Sequence, residues 1–251
     1  MSTMKLKFPF DPLQRSEEVE RLVMKNGKRL YYRFRSAPYY GGIATADAVG
    51  CSFLCAYCWN YFRNLNPARF DKFYSAQQVA LNLLKIARRK SFNLFRITGS
   101  EPILGEASLG HLIEVLKDIF HEKPYSVFIL ETNGFFLGKR LDLINKLKFE
   151  NLWIRISLKG VDGDSFELIA GAKREFFQYP LIALKELENL GLKAWPAVMR
   201  NLFTNDEIAR LEKLLAEYKI NARLEEEILE EYPFVIENMK KRNVKTRESN
   251  L

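Results

Sequence analysis

Histidine is nearly absent and cysteine is scarce, at two and three residues in a chain of 251. Three cysteines cannot build the disulfide framework of a small secreted domain. No apolar run approaches the roughly 20 residues that cross a bilayer. The opening residues, Met1 to Phe10, lead into the charged stretch Glu17-Glu18-Val19-Glu20-Arg21 rather than into a cleavage site. The expectation is a cytoplasmic protein with no membrane contact. Linkers, internal repeats and low-complexity segments are also missing. A chain that is 47% hydrophobic and 28% charged can bury a sizeable core, which excludes disorder as its main state, and its length suits one large domain.

Charge is unevenly spread. Seventeen basic and six acidic residues fall in the first hundred positions, whereas the remainder carries 22 basic against 25 acidic. Such an asymmetry points either to an anionic partner on the N-terminal side or to a Lys- and Glu-rich thermophile surface. Within the basic half, residues 20 to 35 read as a β-hairpin about Asn26-Gly27, a dipeptide suited to a tight turn. Alternation along its second arm puts Arg29, Tyr31, Arg33 and Arg35 on one face and Leu30, Tyr32 and Phe34 on the other. That face suits RNA, with arginines on phosphates and tyrosine on a base, but any half-buried strand alternates in the same way.

From residue 42 the pattern is strand, then helix, repeatedly. Strands are expected at 43–49, 94–97, 126–130, 152–158 and 192–199, with an ambiguous sixth at 223–229. Helices are expected after Ser75 and Thr204, each opening a capping box, and over 108–120, 139–147 and 164–190, the last interrupted near Gly171 and Pro180. Alternation of this kind gives an α/β fold: a partial (β/α)6 TIM-like barrel carrying an N-terminal β-hairpin extension. The boundaries read as an extension over 1–41, a core barrel over 42–230 and a basic tail over 231–251, frayed or docked. Functional residues in such a barrel belong at the ends of strands.

The three cysteines stand together as Cys51-Ser-Phe-Leu-Cys55-Ala-Tyr-Cys58. Sulfur ligands favour zinc or an iron–sulfur cluster. A structural zinc site commonly needs four ligands, and the only histidines, His111 and His121, lie far away in a helical region. A four-iron cubane held by three thiolates leaves one iron open, as a catalytic centre requires. Trp59, Tyr61 and Phe62 follow the loop and suit either shielding the cluster from water or lining the pocket, but their expected role is core packing.

This spacing, C-x3-C-x-aromatic-C with Tyr57 at the aromatic position, resembles the signature of the radical S-adenosylmethionine (SAM) superfamily. Thr98-Gly-Ser-Glu-Pro102 is similar to that family's Gly-Gly-Glu-Pro segment. Glu131-Thr-Asn-Gly134 and Ser157-Leu-Lys-Gly160 resemble segments of the activating enzymes of glycyl radical enzymes. The resemblance implies that Cys51, Cys55 and Cys58 bind a 4Fe-4S cluster and that Tyr57 packs near the adenine of SAM. It places Gly99 and Ser100 at the SAM amino group, with Glu101 and Pro102 shaping the turn. It also puts Glu131, Asn133, Ser157 and Lys159 on strand ends that face the cofactor. Ser100 stands where the motif has its second glycine, which matters if that position needs a positive φ.

The resemblance further implies reductive cleavage of SAM to a 5′-deoxyadenosyl radical that abstracts hydrogen from a substrate, with flavodoxin or ferredoxin as electron donor. A compact chain suggests a macromolecular substrate, most simply a glycyl radical partner protein. The alternatives are an RNA-modifying enzyme that uses the basic N-terminal region and a non-catalytic iron–sulfur sensor.

Overall fold

The computed structural model describes residues 7–247. Among them, nine strands form one sheet: β1 (Met24–Lys25), β2 (Lys28–Ala37), β3 (Ile43–Ala48), β4 (Phe73–Tyr74), β5 (Leu94–Thr98), β6 (Val127–Thr132), β7 (Leu152–Ser157), β8 (Lys193–Met199) and β9 (Glu225–Glu227). Strands β3, β5, β6, β7, β8 and β9 lie side by side in chain order and are all parallel. This is the six-unit α/β architecture that the alternating pattern implies, with every strand ending on the same side. The sheet does not close. No backbone ladder joins β9 to the β1–β2 side, and the seam is spanned instead by a side-chain hydrogen bond from Tyr39, just past β2, to Glu230, just past β9.

The helices are α1 (Pro12–Val23), α2 (Tyr61–Leu65), α3 (Ala76–Lys90), α4 (Glu106–Glu122), α5 (Phe135–Lys139), α6 (Gly163–Ala170), α7 (Gln178–Asn189), α8 (Asn205–Glu217) and α9 (Pro233–Lys241). The capping boxes at Ser75 and Thr204 form, because each hydroxyl accepts the N–H three residues on. Along α3, Val79, Leu83, Ile86 and Ala87 are buried, as the 3.6-residue period requires.

Three local expectations need correction. The first arm of the hairpin is helical: α1 runs to Val23 and only Met24 and Lys25 pair with β2. Asp11 caps that helix by accepting from two backbone N–H groups, and Pro12 at its first turn already carries a helical φ. The helix buries Val19 and Val23 against Leu30 and Val49. Second, a bulge between Tyr31 and Arg33 breaks the alternation of β2. Arg29 and Tyr31 are therefore buried, at 1% and 0% exposure, and the basic face reduces to Arg33 and Arg35. Third, the segment 139–147 is a short α5 followed by a 3-10 turn, and α7 carries Pro180 in its first turn without interruption. Of the two readings for the C-terminal segment, frayed or docked, the described residues take the second: they form α9, docked by Val235 and Met239 and by Arg242, whose guanidinium donates to the carbonyls of Leu54 and Leu168.

Candidate active site

Strand ends and the cysteine loop enclose a cavity of about 790 Å³. That volume suits a small molecule and a cofactor. The loop opens at Gly50, which has a φ of +94°; a Cβ there would lie 2.7 Å from Val19, so only glycine lets α1 pack this closely. All three cysteines line the cavity as free thiols. Burial pushes them up, Cys51 to about 12 and Cys55 and Cys58 to about 11. Metal coordination deprotonates such thiols outright. Among the described residues no three of His, Cys, Asp and Glu converge to hold a single ion. The three thiols open on the same cavity, and a set of soft sulfur donors there fits an iron–sulfur cluster. Two sulfurs already accept weak hydrogen bonds, Cys51 from the Phe53 N–H at 3.4 Å and Cys58 from Asn64 Nδ2 at 3.7 Å, as iron–sulfur ligands commonly do.

The segment after β5 is tied to this loop. Gly99 has a φ of +84°, whereas Ser100 does not need one, so the serine in place of the motif's second glycine strains nothing. The Glu101 N–H donates to Gly50 O at 3.1 Å. The Glu101 carboxylate is 3% exposed and accepts from the Thr132 hydroxyl, from Ile103 N at 3.0 Å and from Asn133 N at 2.7 Å. It therefore clamps the β5 and β6 ends together instead of pointing at a ligand, while burial raises its pKa. Pro102 is buried beside it.

Asn133 donates to Ser52 Oγ at 2.9 Å and approaches Cys51 Sγ at 3.9 Å. Glu131 accepts from Arg96 at 2.7 Å and from the Tyr40 hydroxyl at 3.1 Å. Burial works against its charge, yet Arg96 and Arg155 hold its pKa below the ordinary range. Lys159 sits with its ammonium 5.6 Å from the centre of the buried Tyr57 ring. Burial alone would lower its pKa, but Tyr57, Cys55 and Glu227 raise it, so it stays charged. Ser157 accepts from Arg155 Nη1 at 3.0 Å. The three cysteines and the residues expected to meet the cofactor, Tyr57, Gly99, Ser100, Glu101, Glu131, Asn133, Ser157 and Lys159, line this one cavity, whereas Pro102 does not.

Trp59 and Phe62 are 37% and 65% exposed, which corrects the expected core packing, and Trp59 lines the cavity mouth. Of the three consecutive glutamates, Glu225 and Glu227 face inward onto Arg155, at 3.1 and 2.7 Å, whereas Glu226 pairs with Arg200.

Several supports went unread in the sequence. Asn60 and Asn64, buried at 0% and 2%, both donate to Gly99 O, and Asn64 Oδ1 accepts the Gly50 N–H at 3.0 Å. Their four-residue spacing just past Cys58 puts them on one face of α2 and was the available signal. Arg15, 2% exposed, reaches across from α1 to Cys51 O and Asn64 O at 3.1 and 2.7 Å. No spacing rule marks it.

Comparison with known proteins agrees with this geometry. The Radical SAM superfamily model matches residues 47–218. A probable GTP 3',8-cyclase of Saccharolobus solfataricus is 29% identical over 143 residues, 57% of this chain and 42% of that protein. The GTP 3',8-cyclase of Trichodesmium erythraeum is 31% identical over 123 residues, 49% of this chain and 36% of its own length. The chain thus spans less than half the length of these curated relatives. In fold it is similar to spore photoproduct lyase complexed with dinucleoside spore photoproduct, with a TM-score of 0.58, 15% identity and coverage of 80% of this chain and 61% of the other. It is also similar to Streptococcus suis SuiB bound to S-adenosylmethionine, with a TM-score of 0.56, 16% identity and coverage of 82% and 45%. With more than half its length matched and its three thiols gathered at the strand ends, the chain belongs to the radical SAM superfamily.

Proposed function

We propose that this radical SAM enzyme abstracts hydrogen from a small molecule seated in the 790 Å³ cavity, with Cys51, Cys55 and Cys58 as the ligands of its cluster. Its cofactors are a 4Fe-4S cluster and SAM, which together supply one-electron cleavage of the sulfonium and a 5′-deoxyadenosyl radical. The observation that carries the reading is one cavity lined both by the thiols and by a separate set of arginines, Arg33, Arg35 and Arg63. The thiol side has room for the cofactors, and the arginine side has room for a reactant.

The chain's own residues bind and orient. The Gly99-Ser100 turn meets the SAM amino group with its backbone, the Ser100 carbonyl accepting, while Asn60 and Asn64 hold the turn by donating to the Gly99 carbonyl. Tyr57 offers a buried ring for the adenine, with Lys159 holding a positive charge beside it. Glu131 takes a ribose hydroxyl with the carboxylate oxygen that Arg96 leaves free. Asn133 braces the Cys51 side of the loop, and Ser157 faces the cofactor from β7. A flavodoxin or ferredoxin donates the electron.

Small-molecule chemistry also draws support from relatives whose name states GTP as the reactant. An activating enzyme or an RNA-modifying enzyme draws less, since Arg29 and Tyr31 are buried and no continuous basic face remains on β2. The test is anaerobic: reconstituted, reduced protein given SAM is expected to release 5′-deoxyadenosine. Intact SAM beside a fully loaded cluster would overturn the reading and leave an iron–sulfur sensor.

A further inference from the structure

The cavity has a second pole to which the cofactors give no role. Past the bulge of β2, Arg33 and Arg35 both turn onto one carboxylate. Arg33 Nε lies 2.6 Å from Asp47 Oδ2, and Arg35 lies 2.8 Å and 3.2 Å from the two oxygens. Asp47 is fully buried, whereas the two arginine side chains remain 47% and 24% exposed. A third guanidinium, Arg63, stacks 4.3 Å from the centre of the Tyr32 ring and pairs with no carboxylate among the described residues. Three positive charges thus meet one negative charge in a concave site, where low-dielectric walls strengthen their field.

Two polar atoms at this pole are buried and without a hydrogen-bond partner: Arg63 Nε and Tyr32 Oη. Their residues both line the cavity. Buried polar atoms are nearly always satisfied, so a pair of orphans beside a cationic pocket marks a place for an acceptor-rich ligand. The uncompensated charge matches a phosphate group, which carries about −1.5 to −2 at neutral pH. Guanidinium forks present paired donors suited to its oxygens. Tyr32, Arg33 and Arg35 precede residue 47, where the family match begins, so β2 adds these three to the Asp47 and Arg63 that lie inside the matched range.

We propose that Arg33, Arg35 and Arg63, with the hydroxyl of Tyr32, form a subsite for the phosphate group of the small molecule on which the enzyme acts. The assignment rests on the small-molecule reading above and narrows it to phosphate-bearing substrates.

The test uses the full chain with its reconstituted cluster, titrated by calorimetry with inorganic triphosphate, with tricarballylate and, separately, with SAM. Triphosphate is expected to bind with an affinity that falls as salt rises, and Arg63→Gln is expected to weaken it roughly tenfold or more while SAM affinity is retained. Arg33→Gln combined with Arg35→Gln is expected to behave likewise. Because that pair strips buried Asp47 of both counter-charges, Arg63→Gln decides the matter if the double variant does not fold. Unchanged triphosphate binding in Arg63→Gln overturns the assignment. So does a loss confined to SAM, which would give the arginines to the methionine carboxylate, or tighter binding of tricarballylate than of triphosphate. Binding is read without turnover: a protein that releases 5′-deoxyadenosine but ignores triphosphate defeats the subsite alone, and one that binds triphosphate but leaves SAM intact defeats the enzymatic reading alone.

Discussion

Asn64 donates to the sulfur of Cys58 at 3.7 Å and to the carbonyl of Gly99 at 3.3 Å, so one buried amide joins a proposed cluster ligand to the turn proposed to meet SAM. Hydrogen bonds to ligand sulfurs stabilise the reduced, more negative cluster and raise its potential. Asn64→Asp keeps the acceptor used by the Gly50 N–H but removes the donor and adds a negative charge. The cluster potential is expected to fall, as read by an EPR-monitored redox titration. An unshifted potential in a folded, fully loaded variant would show that the amide acts only on the loop.

Replacing Cys55 with alanine is expected to abolish the iron–sulfur absorbance and bound iron while leaving the circular dichroism unchanged, because the thiol makes no structural hydrogen bond as donor. A variant that keeps a full-strength cluster spectrum would remove Cys55 from the ligand set.

Glu101 satisfies three donors with two oxygens. Glu101→Gln turns an NH2 toward one of those donors and leaves a buried polar group unpaired, at a cost of about 1–3 kcal/mol. Chemical denaturation is expected to show the loss, and SAM binding is expected to weaken as the β5 and β6 ends separate. Wild-type stability in this variant would mean that the clamp is not needed.

His111 is 5% exposed and packs 5.9 Å from Tyr31. Burial, aided by nearby Arg29, lowers its pKa to about 4. The unfolded chain takes up the proton near pH 6.5, whereas the folded chain resists until about pH 4. Stability from this group is therefore fully present above pH 6.5 and declines between the two values as pH falls, by up to about 3 kcal/mol in total. His111→Gln is expected to lose less stability than wild type between pH 7 and pH 5 in urea titrations, and equal losses would contradict the assignment.

Arg155 has a 4% exposed side chain between Glu225 and Glu227, which are about one-third exposed. Arg155→Met leaves two glutamates on a three-residue strand without their counter-charge. A cost of roughly 1–3 kcal/mol is expected, discounted for the exposure of the glutamates. Hydrogen exchange at 225–227 is expected to rise first, because among the described residues β9 pairs only with β8. Retained protection there would show that the strand holds by its backbone alone.

The barrel and its cysteine loop were legible because each rests on local rules. Period-two runs, capping boxes and ligand spacing act over a few residues, and Val79, Leu83 and Ser75 sit where those rules put them. What was missed depends on long-range contacts. α1 was taken for a strand because Glu18 to Lys25 mixes charge with apolar residues in a way that suits either state, and its packing on Gly50 settles the matter. The bulge at Tyr32 shifts every side chain after it, so Arg33 and Arg35 could not be placed by alternation. Arg15, Arg63 and Asp47 acquire meaning only when separate segments meet.

The seam between Tyr39 and Glu230 has a mechanical consequence. Every other neighbouring pair of core strands is zipped by several main-chain bonds, whereas this gap is latched by a hydroxyl and a carboxylate at the surface, a contact of about 0.5–1.5 kcal/mol. Thermal motion can undo such a latch without unravelling any ladder. Parting the strands at this seam would therefore cost far less than parting any two that share a ladder.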